Sequence, residues 1–245
     1  YVFENIGSLS QQKIADIISS VEFENESPIL GSTSAPSTEE IKYRAYGSFS
    51  SQNRAVTEDD YRSIIYNMPP KFGSVKRARI TQDKDSFKRN LNLYVISEDE
   101  NGNLTESTIS LKNNLKTWLS GYKMINDTID ILDAKVVNLE IYIDDRNKYV
   151  ILQNAIDAIK FENLNSKYDI GEPFRVSDVF KTLKNVDGVL DIVKIDVKRK
   201  QGSLYSTFSY DIKSNTSPDG RLILAGDDII FEIKYPDSDI VGTVR

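Results

Sequence analysis

A chain of 245 residues, 39% hydrophobic and 28% charged, is long enough for one large or two modest cores and too apolar for a disordered segment. Its formal charge of −6 opposes a dedicated nucleic-acid surface, because neutralising phosphates needs a basic face. It holds no cysteine and no histidine, which together remove disulfides, thiolate nucleophiles, the Ser-His-Asp triad and most transition-metal sites.

No apolar run approaches the length of a membrane span, and no basic-then-apolar leader is read at the start. Tyr1 in place of methionine is expected of an excerpt from a longer protein. Residues 1–50 read as an N-terminal helix, a linker and an aromatic helix. Ser8 and Gln11 make a capping-box pattern ahead of Ile14, Ile17 and Ile18, which share one helical stripe. From Phe23 to Ser37 the chain carries Pro28, Gly31, Pro36 and a Ser-Thr-Ser run, a linker or an extended arm. Ser37-Thr-Glu-Glu40 starts another helix, followed by Ile41, Tyr43, Ala45, Tyr46 and Phe49. Tyr43, Tyr46 and Phe49 have two readings. They cap the core of the next domain, or they form a face for a neighbouring subunit, since aromatics are enriched in the centres of interfaces.

Residues 51–132 read as a first α/β unit. Thr57 is a good N-cap with Asp60 three places on, and Glu58, Asp59 and Asp60 suit the positive end of the helix dipole. Tyr61, Ile64, Ile65 and Met68 recur at helical spacing. Pro69-Pro70 ends that helix, Gly73 turns the chain, and Val75 to Ile80 is extended. Lys76, Arg77 and Arg79 on that strand read as a solvated face, or as a salt-dependent contact with an acidic neighbour. Leu91, Leu93 and Val95 alternate with Asn92, Tyr94 and Ile96 in a second strand. Glu98 to Asn103 is a polar turn. Taken as a calcium loop with Gly102 sixth, it would put Ser97 first and Thr108 twelfth, so two key ligands are missing. Leu111, Leu115, Trp118, Leu119 and Tyr122 then mark a helix from Thr105 to Tyr122, with Trp118 expected in the core and Gly121 helping to end it.

Residues 133–245 read as a second α/β unit. Val137, Leu139, Ile141 and Ile143 alternate with Asn138, Glu140 and Tyr142 in the cleanest strand of the chain. Lys148 to Leu164 is helical with Leu152, Ala155, Ile156 and Ile159 inward. A connector through Gly171 and Pro173 leads to a helix carrying Val179, Phe180 and Leu183. Asp187-Gly188 turns into a strand with Val193, Ile195 and Val197 on one face. Gly202 to Pro218 is a serine-rich excursion with a possible hairpin through Leu204, Phe208 and Tyr210. Arg221 to Leu224 is a short strand, and Ile229, Phe231, Ile233 and Tyr235 form a last alternating strand before a polar tail.

Carboxylates cluster at Glu58-Asp59-Asp60, at Asp127, Asp130 and Asp133, at Asp144-Asp145 and at Asp227-Asp228. Paired acids serve glycoside hydrolysis or magnesium, but a helix start, turns and exposed edges account for each of these. No phosphate-cradling or dinucleotide-binding glycine motif is present. Lys194, Lys198, Arg199 and Lys200 extend another basic strand, with the same two readings as Lys76, Arg77 and Arg79. The expectation is a protein that is not an enzyme, with no catalytic residue, metal or cofactor. Its fold class is α+β: two small mixed units with split-βαβ, ferredoxin-like character behind a helical and extended N-terminal segment.

Two stretches carry a family resemblance. Arg54-Ala-Val-Thr57 with Asp60-Tyr61, the proline stop, Gly73 and the strand Val75 to Ile80 form the first. Ile170-Gly-Glu-Pro-Phe-Arg-Val-Ser-Asp-Val-Phe-Lys-Thr-Leu-Lys-Asn-Val-Asp-Gly-Val189 is the second. Together they resemble the baseplate-J-like family of contractile-tailed (myovirus) bacteriophages, in the C-terminal portion of its baseplate wedge proteins, over roughly Ala45 to Val197. The segment before Ala45 and the region Gly202 to Pro218 lie outside it. The resemblance implies a structural subunit of a tail baseplate wedge. Such a subunit pairs with itself as a homodimer, contacts neighbouring wedges to form the ring around the central hub, and binds other wedge proteins. It also implies a place in the virion after assembly in the host cytoplasm, with no nucleic acid, membrane insertion or small-molecule substrate. Ring closure needs two distinct surface patches, or one self-complementary pair plus a second contact. The alternative is a host-surface or carbohydrate-binding module with tyrosine-rich loops.

Overall fold

The computed structural model describes residues 38, 41–42, 45–46, 54–83, 90–145, 149–161, 168–187, 189 and 192–244. The expected helix at Ser8 and the linker from Phe23 lie outside the described residues.

Helix α1 (Glu58–Tyr66) starts as the capping chemistry requires. Thr57 Oγ1 accepts from the Asp60 amide at 3.2 Å while the Asp60 carboxylate accepts from the Thr57 amide at 2.9 Å. A 3₁₀ turn at Pro70–Phe72 and Gly73 at φ 100° redirect the chain into β1 (Arg77–Gln82). Strand β1 pairs antiparallel with β2 (Asn90–Glu98), with Ala78 opposite Val95 and Ile80 opposite Leu93. A two-residue strand β3 (Leu104–Thr105) pairs with the end of β2, so α2 (Ile109–Ser120) begins at the Thr108 cap rather than at Thr105. Strand β4 (Thr128–Asp133) then lies parallel to β2. Leu93, Val95, Ala78 and Ile80 pack under α1 and α2 to form one core with Leu111, Leu115 and Leu119. Trp118 sits at its edge, where Nε1 donates to the Ile64 carbonyl at 2.9 Å and the ring lies 5.0 Å from Tyr122.

The second unit is built on β5 (Lys135–Asp145). Helix α3 (Tyr149–Phe161), strand β6 (Phe174–Arg175) and helix α4 (Val176–Lys184) follow. Strand β7 (Ile192–Arg199) pairs antiparallel with β5. Strand β8 (Leu222–Ile223) pairs with β6. Strands β9 (Ile229–Glu232) and β10 (Ile240–Val244) run parallel to the two halves of β5, joined by the one-turn α5 (Pro236–Asp239). Its core gathers Leu139, Ile141, Leu152, Ile159, Phe174, Val179 and Phe231. The chain is therefore α+β with two small mixed sheets. In the first sheet, α2 crosses between neighbouring strands β2 and β4 with nothing inserted between them.

Four further details differ from the expectation. Val193 is 42% exposed, because the register steps from Lys194 opposite Asp144 to Ile192 opposite Asp145, leaving Val193 as the extra residue of a bulge. Buried Ile192 takes the inward place beside Ile195 and Val197. Residues 202–218 form turns rather than a hairpin. They are held by Ser206 N on Asn138 Oδ1, Arg199 on the Phe208 carbonyl, and Tyr205 OH on Asp239 at 2.7 Å. Strand β9 ends at Glu232 and does not alternate, since all four of its residues are buried. The supposed polar tail is α5 followed by β10, a sheet strand paired with β5 whose Ile240 is buried in the second core.

Candidate functional site

Between the described units the chain crosses once, at Ala134. Its amide donates to Val95 O in the first sheet at 2.9 Å, and the next amide, Lys135 N, donates to Asp228 O in the second unit at 2.7 Å. Ile96, Ala134, Ile170 and Ile230 make a small apolar cluster at this joint, with Tyr94, Leu104 and Val136 against it.

Charge surrounds that cluster. Arg77, 7% exposed, pairs through Nε with Asp169 at 2.9 Å. Arg79 donates through Nη1 to the Ile170 carbonyl at 2.9 Å and through Nη2 to Asp227 at 3.0 Å. The guanidinium lies across Gly171, whose φ is +74° and whose site leaves no room for a β-carbon, which would fall 1.5 Å from Nη1. Gly171 N in turn donates to Ile229 O at 2.6 Å. Lys76 pairs with Glu98 at 2.9 Å, and the Glu98 side chain is only 5% exposed. The expected solvated face of Lys76, Arg77 and Arg79 is thus corrected. For both arginines the acidic neighbour is the second unit of the same chain, because β1 presents alternate residues to whatever covers the sheet face opposite its helices.

Glu232 closes the other side of the joint. Its Oε1 accepts from Leu104 N at 2.6 Å and its Oε2 from Asn138 Nδ2 at 2.8 Å, while Asn138 Oδ1 accepts from Ser206 N. Burial pushes the Glu232 carboxyl above its ordinary value, against the pull of these donors and of Lys234.

An open cleft of about 990 Å³ adjoins the joint, with Tyr94, Leu104, Leu132 and Val136 facing Leu204 and Phe208. Glu106, Asp133, Asp228 and Glu232 also line it. Asp133 accepts from Ser107 N and pairs with Lys112, and Asp228 pairs with Lys135 at 2.7 Å. Elsewhere Asp127 accepts from Tyr61 OH at 2.6 Å. Among the described residues no group of three or more acids is placed to hold a metal. On the strand β7 side, Lys200 pairs with Glu140 at 2.5 Å, Lys198 lies 4.4 Å from the Tyr142 ring, and Lys194 pairs with Asp196 at 3.3 Å.

Of the three aromatic candidates, Tyr46 is helical and 77% exposed, outside both main cores. Tyr43 and Phe49 lie outside the described residues. Sequence reading missed Glu232, Asn138 and the role of Gly171. The one available signal was a glutamate inside the apolar run from Ile229 to Ile233.

No protein-family model matches the chain, and no curated protein matches it. It is similar to a chain in the solved "Cryo-EM structure of the anti-feeding prophage (AFP) baseplate, 6-fold symmetrised". The identity is 15% and the TM-score 0.44, over 67% of this chain and 38% of that one. This chain therefore spans well under half the length of the baseplate chain it matches.

Proposed function

We propose that the chain is a structural part of a contractile-tail baseplate wedge protein in the virion. In this reading it pairs with a second copy of itself, contacts neighbouring wedges to close a ring around the hub, and binds other wedge proteins. One observation carries the reading beyond the sequence motifs. The two stretches that resemble the baseplate-J-like family meet physically at the joint, where Arg79 of the first grips Ile170 and Gly171 of the second. Stretches that are each ordinary capping and turn chemistry are thereby one constellation, 91 residues apart in sequence.

The same reading assigns no bond-making step to the chain. Histidine and cysteine are absent, and Asp127, Asp133, Asp227, Asp228 and Glu232 each have a structural partner. The test is the mass of the full chain in solution across concentrations, compared with 27.8 kDa, with antibody-labelled electron microscopy of assembled tails. Concentration-dependent dimers or larger species, and label on the baseplate, are expected. A strict monomer retained on a glycan array, with no label on tails, overturns the reading in favour of a host-surface module.

A further inference from the structure

We propose that the joint at Ala134 is a charge-latched hinge. The two units can part as intact bodies when the Arg77–Asp169 and Arg79–Asp227 pairs are released and the Leu104–Glu232 hydrogen bond beside them opens. This inference is independent of the baseplate reading, since it rests only on how the units are held.

The apolar content of the seam is small beside that of the units. Among the described residues, nineteen buried ones form the core of the second unit and fourteen that of the first, whereas the seam cluster has four, one of them an alanine. Apolar burial scales with area, so the seam contributes far less than either core and its polar contacts decide whether it stays closed. Those contacts are built to respond to the surroundings. In each pair the arginine is the covered partner and the carboxylate the exposed one, with Asp169 at 41% and Asp227 at 43% side-chain exposure. Ions therefore reach the acid end of each pair and screen it.

Covalently the joint also suits a hinge. Strands β4 and β5 belong to different sheets and are separated by Ala134 alone, so a small change in φ and ψ at Ala134 swings one sheet against the other. Arg79 is the latch bolt. Its path across Gly171 requires the missing β-carbon, and among the described residues its buried Nε has no acceptor. A guanidinium held with one donor unsatisfied is less firmly bound than a fully paired one. Opening uncovers Arg77 and Arg79 on one body and leaves the already exposed Asp169 and Asp227 on the other without these partners.

The experiment is hydrogen exchange of the full chain at about 0.05 M and about 1 M NaCl, where the screening length falls to about 3 Å. It is paired with distance measurement between dyes on Lys116→Cys in α2 and Asn154→Cys in α3. Both sites are exposed, and the chain has no cysteine to interfere. Exchange rates at Leu104, whose amide bond to Glu232 crosses the seam, are expected to rise roughly tenfold in high salt, and in Arg79→Gln already at low salt. The inter-dye distance broadens with them, while amides within α2 and between β5 and β7 keep their protection. Asp227→Asn should reproduce the effect, and combining it with Arg79→Gln should add little more, as expected for one interaction. A Leu104 amide that ignores both salt and Arg79→Gln, or that loses protection only together with the two cores, overturns the hinge.

Discussion

Leu152 of α3 lies so close to Gly242 of β10 that a β-carbon on the glycine would fall 2.6 Å from Leu152 Cδ1 and 2.9 Å from Cγ and Cδ2. Leu152 is 2% exposed, so it has nowhere to retreat. Gly242 therefore sets how closely the last strand packs under the helix while pairing with Ile143. Gly242→Ala is expected to destabilise the chain by about 1–3 kcal/mol, the usual cost of overpacking, read as a lower urea midpoint at unchanged slope. Leu152→Ala alone should cost about 2–5 kcal/mol as a cavity. Because the new methyl would occupy that cavity, the double variant should be more stable than the sum of the two losses.

That contact also marks where the sequence stopped being legible. Elements with one buried face announced themselves: α1 through Tyr61, Ile64 and Ile65, β5 through Val137 to Ile143, α2 through Leu111, Leu115 and Leu119. Their periodicity is the direct imprint of a two-sided environment. Strand β9 has no such imprint, because Ile229 and Phe231 enter the second core while Ile230 enters the seam. Strand β10 has buried Ile240 at its start, but backbone pairing and the absence of a side chain at Gly242 also place it, and neither of these alternates. Val193 misled because a one-residue bulge exchanges the two faces of a strand. The arginines on β1 were visible as residues, but the partners of Arg79 lie 91 and 148 positions away, and no local pattern encodes such a distance.

At the start of α1, Thr57 and Asp60 cap each other, and the acid also accepts from Val56 N at 3.2 Å. Thr57→Ala should cost about 1 kcal/mol, the typical value for losing an N-cap side chain. Although slight burial pushes the Asp60 carboxyl up, the donors at Thr57 and Val56 outweigh it and leave the group below its ordinary 3.8. A lowered folded-state value means stability that is present above pH 3.8 and lost as pH falls through the lower value. Thr57→Ala should therefore also weaken the acid dependence of unfolding below pH 4, measured by circular dichroism.

Glu232 predicts the opposite slope. Burial raises its carboxyl above the ordinary 4.5, with Leu104 N, Asn138 Nδ2 and Lys234 opposing and Asp99 reinforcing the rise. A raised folded-state value means stability that is complete below pH 4.5 and is lost as pH climbs through the folded value. Glu232→Gln removes this titration. Denaturation free energies of the parent minus those of the variant should fall as pH rises from 4.5 through the raised folded-state value and then level off. A flat difference would show that the carboxylate is no costlier in the folded chain than in water.

Tyr46 offers the cleanest separation of stability from assembly. Its ring is 77% exposed and belongs to neither main core, so truncation removes little that the folded monomer uses. Tyr46→Ala should leave the unfolding midpoint within about 0.5 kcal/mol of the parent, as for surface positions generally. Aromatic anchors at the centre of an interface, by contrast, typically cost about 2 kcal/mol or more when cut to alanine, which is roughly thirtyfold in dissociation constant. Sedimentation across a concentration series reads the two effects independently. A thirtyfold shift toward monomer with an unchanged midpoint would place Tyr46 inside a contact between copies. An unchanged association constant would remove this tyrosine from the interface and leave the ring-forming patches to be sought elsewhere on the surface.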